Sequence, residues 1–263
     1  MPSSLFYICG LKPSGLKKIR VAAVSYLNTK PLMYGLKRHE VMEAIDLVED
    51  YPARIARMLI DGEVDMGLVP VAIIPRLREA HIYTDFCIGA DGPVDSVCLF
   101  SEVPLEEVTE VYLDYQSRTS VMLATVLLKE YWKSGATLIP ASGEDYRDRI
   151  KGRTAGLVIG DRAFEQRLRS PYIYDLAEHW QAFTGLPFVF AAWIANKELP
   201  GDFIARFNDA NAVGLAHIPE VVAENPYPHF DLTEYYTRSI DYRLDQKKRD
   251  ALSLFLKKIE AYR

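Results

Sequence analysis

Cysteine is scarce and badly spaced for cross-linking. Cys9, Cys87 and Cys98 are an odd number in 263 residues, with no C-x-x-C pair among them. That excludes a disulfide framework and a cysteine-based zinc site, and it fits free thiols in a reducing compartment. The histidines, His39, His81, His179, His217 and His229, form neither H-x-x-H nor H-E-x-x-H, so no metal is expected. Positive charge is not in excess. A net charge of -5 leaves no basic footprint for nucleic acid and no polybasic patch for a membrane surface, although a pocket can still be locally positive. No run approaches the roughly 20 apolar residues of a membrane span. No G-x-x-x-x-G-K loop is present to cradle a nucleotide phosphate. Internal repeats and low-complexity tracts are missing too. The apolar LFYICGL near the start has only MPSS before it, with no basic n-region, and no small-residue cleavage pattern follows. Residues 1–18 therefore read as an extension, and the expected location is the cytoplasm.

What is present is an ordinary globular composition, 49% apolar and 25% charged, in a chain long enough for one large domain or two lobes. IRVAAVSY (19–26) reads as a strand, and PLMYGLKRHEVME as a helix with Pro31 in its first turn. AIDLVEDYP is a second strand. PARIARMLIDGEV is a helix opened by Pro52 and stopped near Gly62, and DMGLVPV is a third strand. This β-α-β-α-β order predicts a parallel sheet. The pattern restarts at EVYLDY (110–115) and runs through SVMLATVLLKEYWK, ATLIP, GEDYRDRIKG, TAGLVIGD and YIYDLAEHWQAFTG. From Pro200 onward the chain reads as helical. Two apolar segments, around 93–101 and 188–196, bracket the second unit, as two crossings of a hinge would. The expected lobes are 19–100 with 193–263, and 101–192, with a ligand cleft at the carboxyl ends of the strands.

Three strand-to-helix turns are rich in chemistry. The first holds Ser25, Tyr26, Asn28 and Thr29, where a plain connection would use Gly or Asp. The second follows Asp114 and holds Ser117, Arg118, Thr119 and Ser120. One hydroxyl suffices for a cap; three hydroxyls and an arginine also suit a carboxylate or phosphate at a helix N-terminus. The third is Gly160-Asp161-Arg162, where Asp161 can cap a helix, Gly160 can permit close backbone approach, and Arg162 reads as a surface residue. Asp95-Ser96 reads as lying inside an apolar strand, so the carboxylate needs a partner, within a hinge or from a ligand. Trp193, Phe188 and Phe190 read as core.

SYLNTKPL, GPVDSVCLFS, DYQSRTSV, LVIGDRA and DLAEHWQAFTGLPFVFAAWIANK occur in that order. Together they resemble the menaquinone-biosynthesis family that contains chorismate dehydratase, the first enzyme of the futalosine route. The resemblance runs from about residue 19 to the C-terminus. Its most specific element, DLAEHWQAFTGLPFVFAAW, separates this branch from the related dihydroxynaphthoate synthase. The resemblance implies an α/β fold of the two-lobed type II periplasmic-binding-protein kind, with an interlobe cleft and hinge, used as a cytoplasmic enzyme. It implies loss of water from chorismate to give 3-[(1-carboxyvinyl)oxy]benzoate, with no metal and no organic cofactor. It maps the residue most associated with the chemistry onto Asn28 and a second onto Ser96. The Ser117–Ser120 turn maps onto the carboxylate anchor, and Ser25, Tyr26, Thr29, Asp114, Gly160 and Asp161 are the further substrate-binding candidates. An amide is no base at neutral pH, so the proton goes to a substrate carboxylate or to a side chain such as Asp114 or Asp161. The rival functions are dihydroxynaphthoate synthase, a transport receptor of the same fold, and the effector lobe of a transcription factor. The receptor would need an export signal, and the effector lobe a helix-turn-helix domain.

Overall fold

A computed structural model describes residues 18–262. The expectations for residues 1–17, Cys9 included, lie outside the described residues.

The chain opens with β1 (Ile19–Val24), α1 (Lys30–Arg38), β2 (Ile45–Asp50), α2 (Pro52–Ile60), β3 (Met66–Pro70) and β4 (Phe86–Ala90). Both α1 and α2 carry proline in the first turn, where a missing N–H costs no hydrogen bond. β1 pairs in parallel with β2 and β3, as the alternating pattern predicted. A second sheet follows, from β5 (Val97–Ser101), β6 (Glu110–Leu113), α3 (Arg118–Val126), β7 (Thr137–Pro140), β8 (Thr154–Ile159), α4 (Asp161–Arg167), β9 (Tyr172–Asp175) and α5 (Leu176–Thr184). The chain then returns through β10 (Phe188–Ala195), α6 (Gly201–Leu215), α7 (Ile218–Glu224), the single turn α8 (Leu232–Glu234), β11 (Asp241–Arg243) and α9 (Gln246–Ile259).

The first sheet has the order β11-β4-β10-β3-β1-β2 and the second β7-β6-β8-β5-β9. In each, a parallel core meets a strand inserted antiparallel, β10 beside β3 and β5 beside β8. All eight residues of β10 are buried, Phe188, Phe190 and Trp193 among them, so these aromatics are core. β11 lies in a segment that reads as helical. It is three residues at the sheet edge, too short to show a period of two.

The crossings differ from the pattern-based boundaries at 101 and 192. β5 belongs to the second sheet from Val97 and β10 to the first from Phe188, so the chain crosses within 91–96 and again within 185–187. An apolar run looks the same in either sheet; only its pairing partner assigns it. Residues 91–96 are not strand, and Asp95 has φ +65°. The C-terminal part is also shared. α6 packs on α1, but α9 touches both β10 and α3, and Lys258 Nζ reaches Glu130 Oε2 of the second unit at 2.5 Å.

Asp175 ties the first crossing to the second unit. Its carboxylate accepts from the N–H groups of Val94 (3.0 Å) and Asp95 (2.7 Å) and caps α5 through Ala177 and Glu178. Burial pushes it up to about 6, against those donors and with Asp95 adding to the shift. A carboxyl raised on folding stabilises the fold while protonated and loses that contribution as pH rises from the unfolded value. The stability of the wild type relative to Asp175→Asn should therefore fall by roughly 2 kcal/mol between about pH 4 and pH 6. Urea denaturation of both proteins across that range tests this; a difference independent of pH would refute it.

Candidate active site

β1 ends at Val24, and a 3-10 turn over Leu27–Thr29 leads directly into α1. The Thr29 hydroxyl holds the turn. It lies 3.0 Å from the Tyr26 carbonyl and 3.3 Å from Asn28 Oδ1, so its single proton is shared between them. The Asn28 carbonyl accepts from Tyr242 Oη at 2.8 Å. Among the described residues nothing accepts from the Asn28 amide N–H groups, which leaves two donors for a ligand. Ser25 stands apart: it is exposed, and its backbone N–H donates to Asp50.

The end of β8 meets this turn from the other sheet. Gly160 has φ 64° and ψ -151°, a region essentially confined to glycine. A Cβ there would also lie 3.0 Å from the Tyr26 ring. The glycine thus lets the two turns touch. Leu27 N–H donates to Asp161 Oδ1 at 3.1 Å, and Tyr26 Oη donates to Gln116 Oε1. Burial raises the Asp161 carboxyl above its ordinary value, outweighing the Leu27 N–H and the charges of Lys30 and Arg162. Tyr227 Oη closes the turn by donating to the Asp161 carbonyl at 2.9 Å.

Ser96 sits on the crossing between the sheets. Its carbonyl accepts from Gly160 N–H at 2.8 Å, and its hydroxyl oxygen accepts from Tyr235 Oη at 2.7 Å. The Ser96 hydroxyl keeps its own proton to give. Asp95 is paired rather than costly. Arg167 Nη2 lies 3.2 Å from Oδ1, and Ser239 donates to Oδ2 at 2.7 Å.

The Ser117–Ser120 turn is N-terminal to α3. Ser117 caps the helix by accepting from Ser120 N–H, and the two hydroxyls lie 3.0 Å apart. Thr119 Oγ1 accepts from Ala72 N–H of the first unit at 3.1 Å. Arg118 and Arg76 line a cavity of about 470 Å³ with Ala72, Asp114, Tyr115 and Ser117. That volume lies inside the range of about 300–1,000 Å³ common for small-molecule sites. Loss of solvent, then the like charge of Arg76, lower Arg118 from its ordinary value. Among the described residues neither arginine has a carboxylate partner, so the pair presents uncompensated positive charge.

Asp114 is buried and fully engaged. It accepts from Gln116 N–H (2.7 Å), Tyr146 Oη (2.7 Å) and Arg162 Nη2 (2.8 Å). Arg162, which reads as a surface residue in the sequence, is only 16% exposed in its side chain and bridges Asp114 to Glu144. Sequence reasoning also missed Arg76, Gln116 and the tyrosines 227, 235, 236 and 242. For the last three tyrosines the available signal was the density of phenols in the polar segment DLTEYYTRSIDYR (231–243). Among the described residues no group of three His, Cys, Asp or Glu could hold a metal, and no helix is long and apolar enough to cross a membrane.

Residues 19–261 match the family described as Menaquinone biosynthesis. The chorismate dehydratase of Thermus thermophilus is 28% identical over 253 residues, covering 88% of this chain and 91% of that protein. A solved protein of Archaeoglobus fulgidus superposes with a TM-score of 0.71 at 13% identity, over 93% of this chain and 97% of its own. The periplasmic aliphatic sulphonate binding protein SsuA of Escherichia coli superposes with a TM-score of 0.59 at 13% identity, over 94% and 88%. The likeness to solved structures identifies the fold as periplasmic-binding-protein-like.

Removing one member of a buried ion pair strands the other. Asp114→Ala should therefore cost about 3–5 kcal/mol of stability, read by urea denaturation. A loss below about 1 kcal/mol, the size expected of an exposed pair, would show that Asp114 does not hold Arg162 in place.

Proposed function

The chain belongs to the menaquinone-biosynthesis family, and from that premise we propose that it is a chorismate dehydratase, a hydro-lyase that converts chorismate to 3-[(1-carboxyvinyl)oxy]benzoate. The reaction removes the C3 proton and the C4 hydroxyl and makes the ring aromatic. The enzyme acts on a small dianion in the cytoplasm, and the unpaired thiols of Cys87 and Cys98 agree with that compartment. The units built on the two sheets act as lobes about the two crossings, and the substrate lies where their turns meet.

What supports the chemistry is that two hydrogen bonds tie together the segments carrying Asn28, Ser96 and Asp161, from Leu27 N–H to Asp161 Oδ1 and from Gly160 N–H to the Ser96 carbonyl. Asn28 supplies amide donors and Ser96 a hydroxyl donor, both suited to charge that develops on substrate oxygens. Asp161 is the base. Its carboxyl is partly buried, one oxygen is steadied by Leu27 N–H beside Asn28, and a raised carboxyl is a better proton acceptor than an exposed one. Asp114 is spent on Tyr146, Gln116 and Arg162 and serves to hold the second unit's turn. Arg76, Arg118 and the N-terminus of α3 attract the carboxylates. Tyr26 and Thr29 shape the first turn, and Gly160 brings it against the second.

Incubating the purified protein with chorismate and identifying the product separates this reading from a dihydroxynaphthoate synthase or a binding protein. Asn28→Ala should lower kcat by about 10²–10³-fold with a much smaller change in affinity measured by calorimetry, because the donors act mainly in the transition state. Asn28→Asp should fail as well, since it removes the donors and adds charge beside a dianion. Near-normal turnover of the alanine variant would reduce the first turn to a connection.

The base gives a pH signature. Asp161 must be ionised to accept the proton, so activity falls as pH drops through its raised pKa. The acid limb of kcat/KM should lie above the ordinary aspartate value of about 3.9 and vanish, with most of the activity, in Asp161→Asn. If Asp161→Asn keeps both turnover and the limb, a carboxylate of the substrate is the base.

A further inference from the structure

Two arginines meet at the seam between the units, one from each. Arg76 ends the 3-10 turn Val71–Arg76 that follows β3 in the first unit, and Arg118 opens α3 in the second. Those two elements touch directly, since Ala72 N–H donates to Thr119 Oγ1 at 3.1 Å. Both arginines are exposed, and both line the cavity of about 470 Å³ that Asp114, Tyr115 and Ser117 border. Both also line a second cavity of about 390 Å³ on the side of α2, with Ala53, Ala56 and Ile60. The pair therefore stands on the boundary of both spaces and is open to a ligand from either.

The protein leaves their charge unanswered. Asp114, which carries the carboxylate of the first cavity's lining, is taken by Arg162 at 2.8 Å. Asp61, in the lining of the second, lies 3.5 Å from Arg57 on its own helix. Among the described residues no carboxylate is in ion-pair contact with Arg76 or Arg118. Two like charges held together at a seam cost free energy, and an anion seated between them reverses the sign of that interaction.

We propose that Arg76 and Arg118 are specificity-determining residues that together grip one carboxylate of the substrate, so that the site selects dianions over monoanions; the proposal rests on the dehydratase reading above. A carboxylate offers two oxygens and about four acceptor sites, enough for two guanidinium groups. Bonds of that charge-assisted kind are the strong ones. Chorismate brings two carboxylates, and their like charge keeps them from sharing an anchor. The hydroxyls and free N–H groups of the Ser117–Ser120 turn suit one. The arginines, on the flank of the same turn, suit the other. Because each unit supplies one arginine, the gripped carboxylate also holds the units together. A general positive field would attract any anion, whereas a clamp rewards only the carboxylate seated in it.

The test compares Arg76→Gln and Arg118→Gln with the wild type by calorimetry at constant ionic strength. The ligands are 3-[(1-carboxyvinyl)oxy]benzoate and two analogues with one carboxylate each. 2-Phenoxyacrylate lacks the ring carboxylate, and 3-(vinyloxy)benzoate lacks the other. Each variant should bind the diacid about 10–100-fold more weakly, the size of a lost hydrogen bond to a charged group. KM for chorismate should rise with it and kcat change less, since binding common to ground and transition states is what is lost. One analogue should weaken by a similar factor in both variants, and the other should stay within about twofold, because a single carboxylate is gripped. Equal weakening of both analogues overturns the proposal in favour of a general field. A different responding analogue in each variant overturns it in favour of separate anchors, and unchanged affinities overturn it outright. Wild-type protein that is inactive on chorismate overturns the dehydratase reading instead, whereas an active wild type whose variants miss this pattern overturns the clamp alone.

Discussion

A single hydrogen bond, from Leu27 N–H to Asp161 Oδ1, joins the ends of two strands that belong to different sheets. The site depends on it. It sets the turn before α1 against the first turn of α4 and joins the residue next to Asn28 to a carboxyl that burial raises. Glycine makes the approach possible. The backbone of Gly160 has a conformation that other residues avoid, and the Tyr26 ring occupies the space a side chain would need. The same glycine donates its N–H to the Ser96 carbonyl, so one short loop contacts the first turn, the crossing and the helix that follows.

Most of the polar inventory around that bond is spent on position. Asp175 gives its carboxylate to four backbone N–H groups, Asp114 to Tyr146, Gln116 and Arg162, and Asp95 to Arg167 and Ser239. Satisfied groups of this kind hold geometry and have little left for a ligand. The groups with capacity to spare are few: the Asn28 amide donors, the Ser96 proton and the two arginines, 76 and 118. Donors and cations are what a dianion that must lose a hydroxyl requires.

The C-terminal segment 227–243 supplies the back of the site. Tyr227, Tyr235 and Tyr242 each donate to a backbone or side-chain oxygen of the turns, at 2.7–2.9 Å. Their rings bury apolar surface while each hydroxyl meets a polar atom, so one residue type contributes packing and orientation together. These contacts reach from Tyr242 back to Asn28, 214 residues earlier in the chain. Nothing local in either segment announces them.

The sequence by itself determined the parallel core of the first sheet, the helix starts at Pro31 and Pro52, the buried aromatics of β10, and the three strand-to-helix turns on which the candidate residues lie. Those features are local: period, proline and capping chemistry act over a few residues, and a strand that ends before a helix marks where ligands bind. Tertiary structure alone decided which sheet each apolar run joined, moving the crossings away from 101 and 192, and it made a strand of Asp241–Arg243. It also sorted the polar residues of the turns, which look alike in the sequence. Asp114 is consumed by Arg162 and Tyr146, Asp161 is held by one N–H, Ser25 is exposed, and Tyr236 is buried without a partner. The reason is physical. A polar group's capacity to act depends on how many of its bonds are already made, and those partners come from segments far away in the chain.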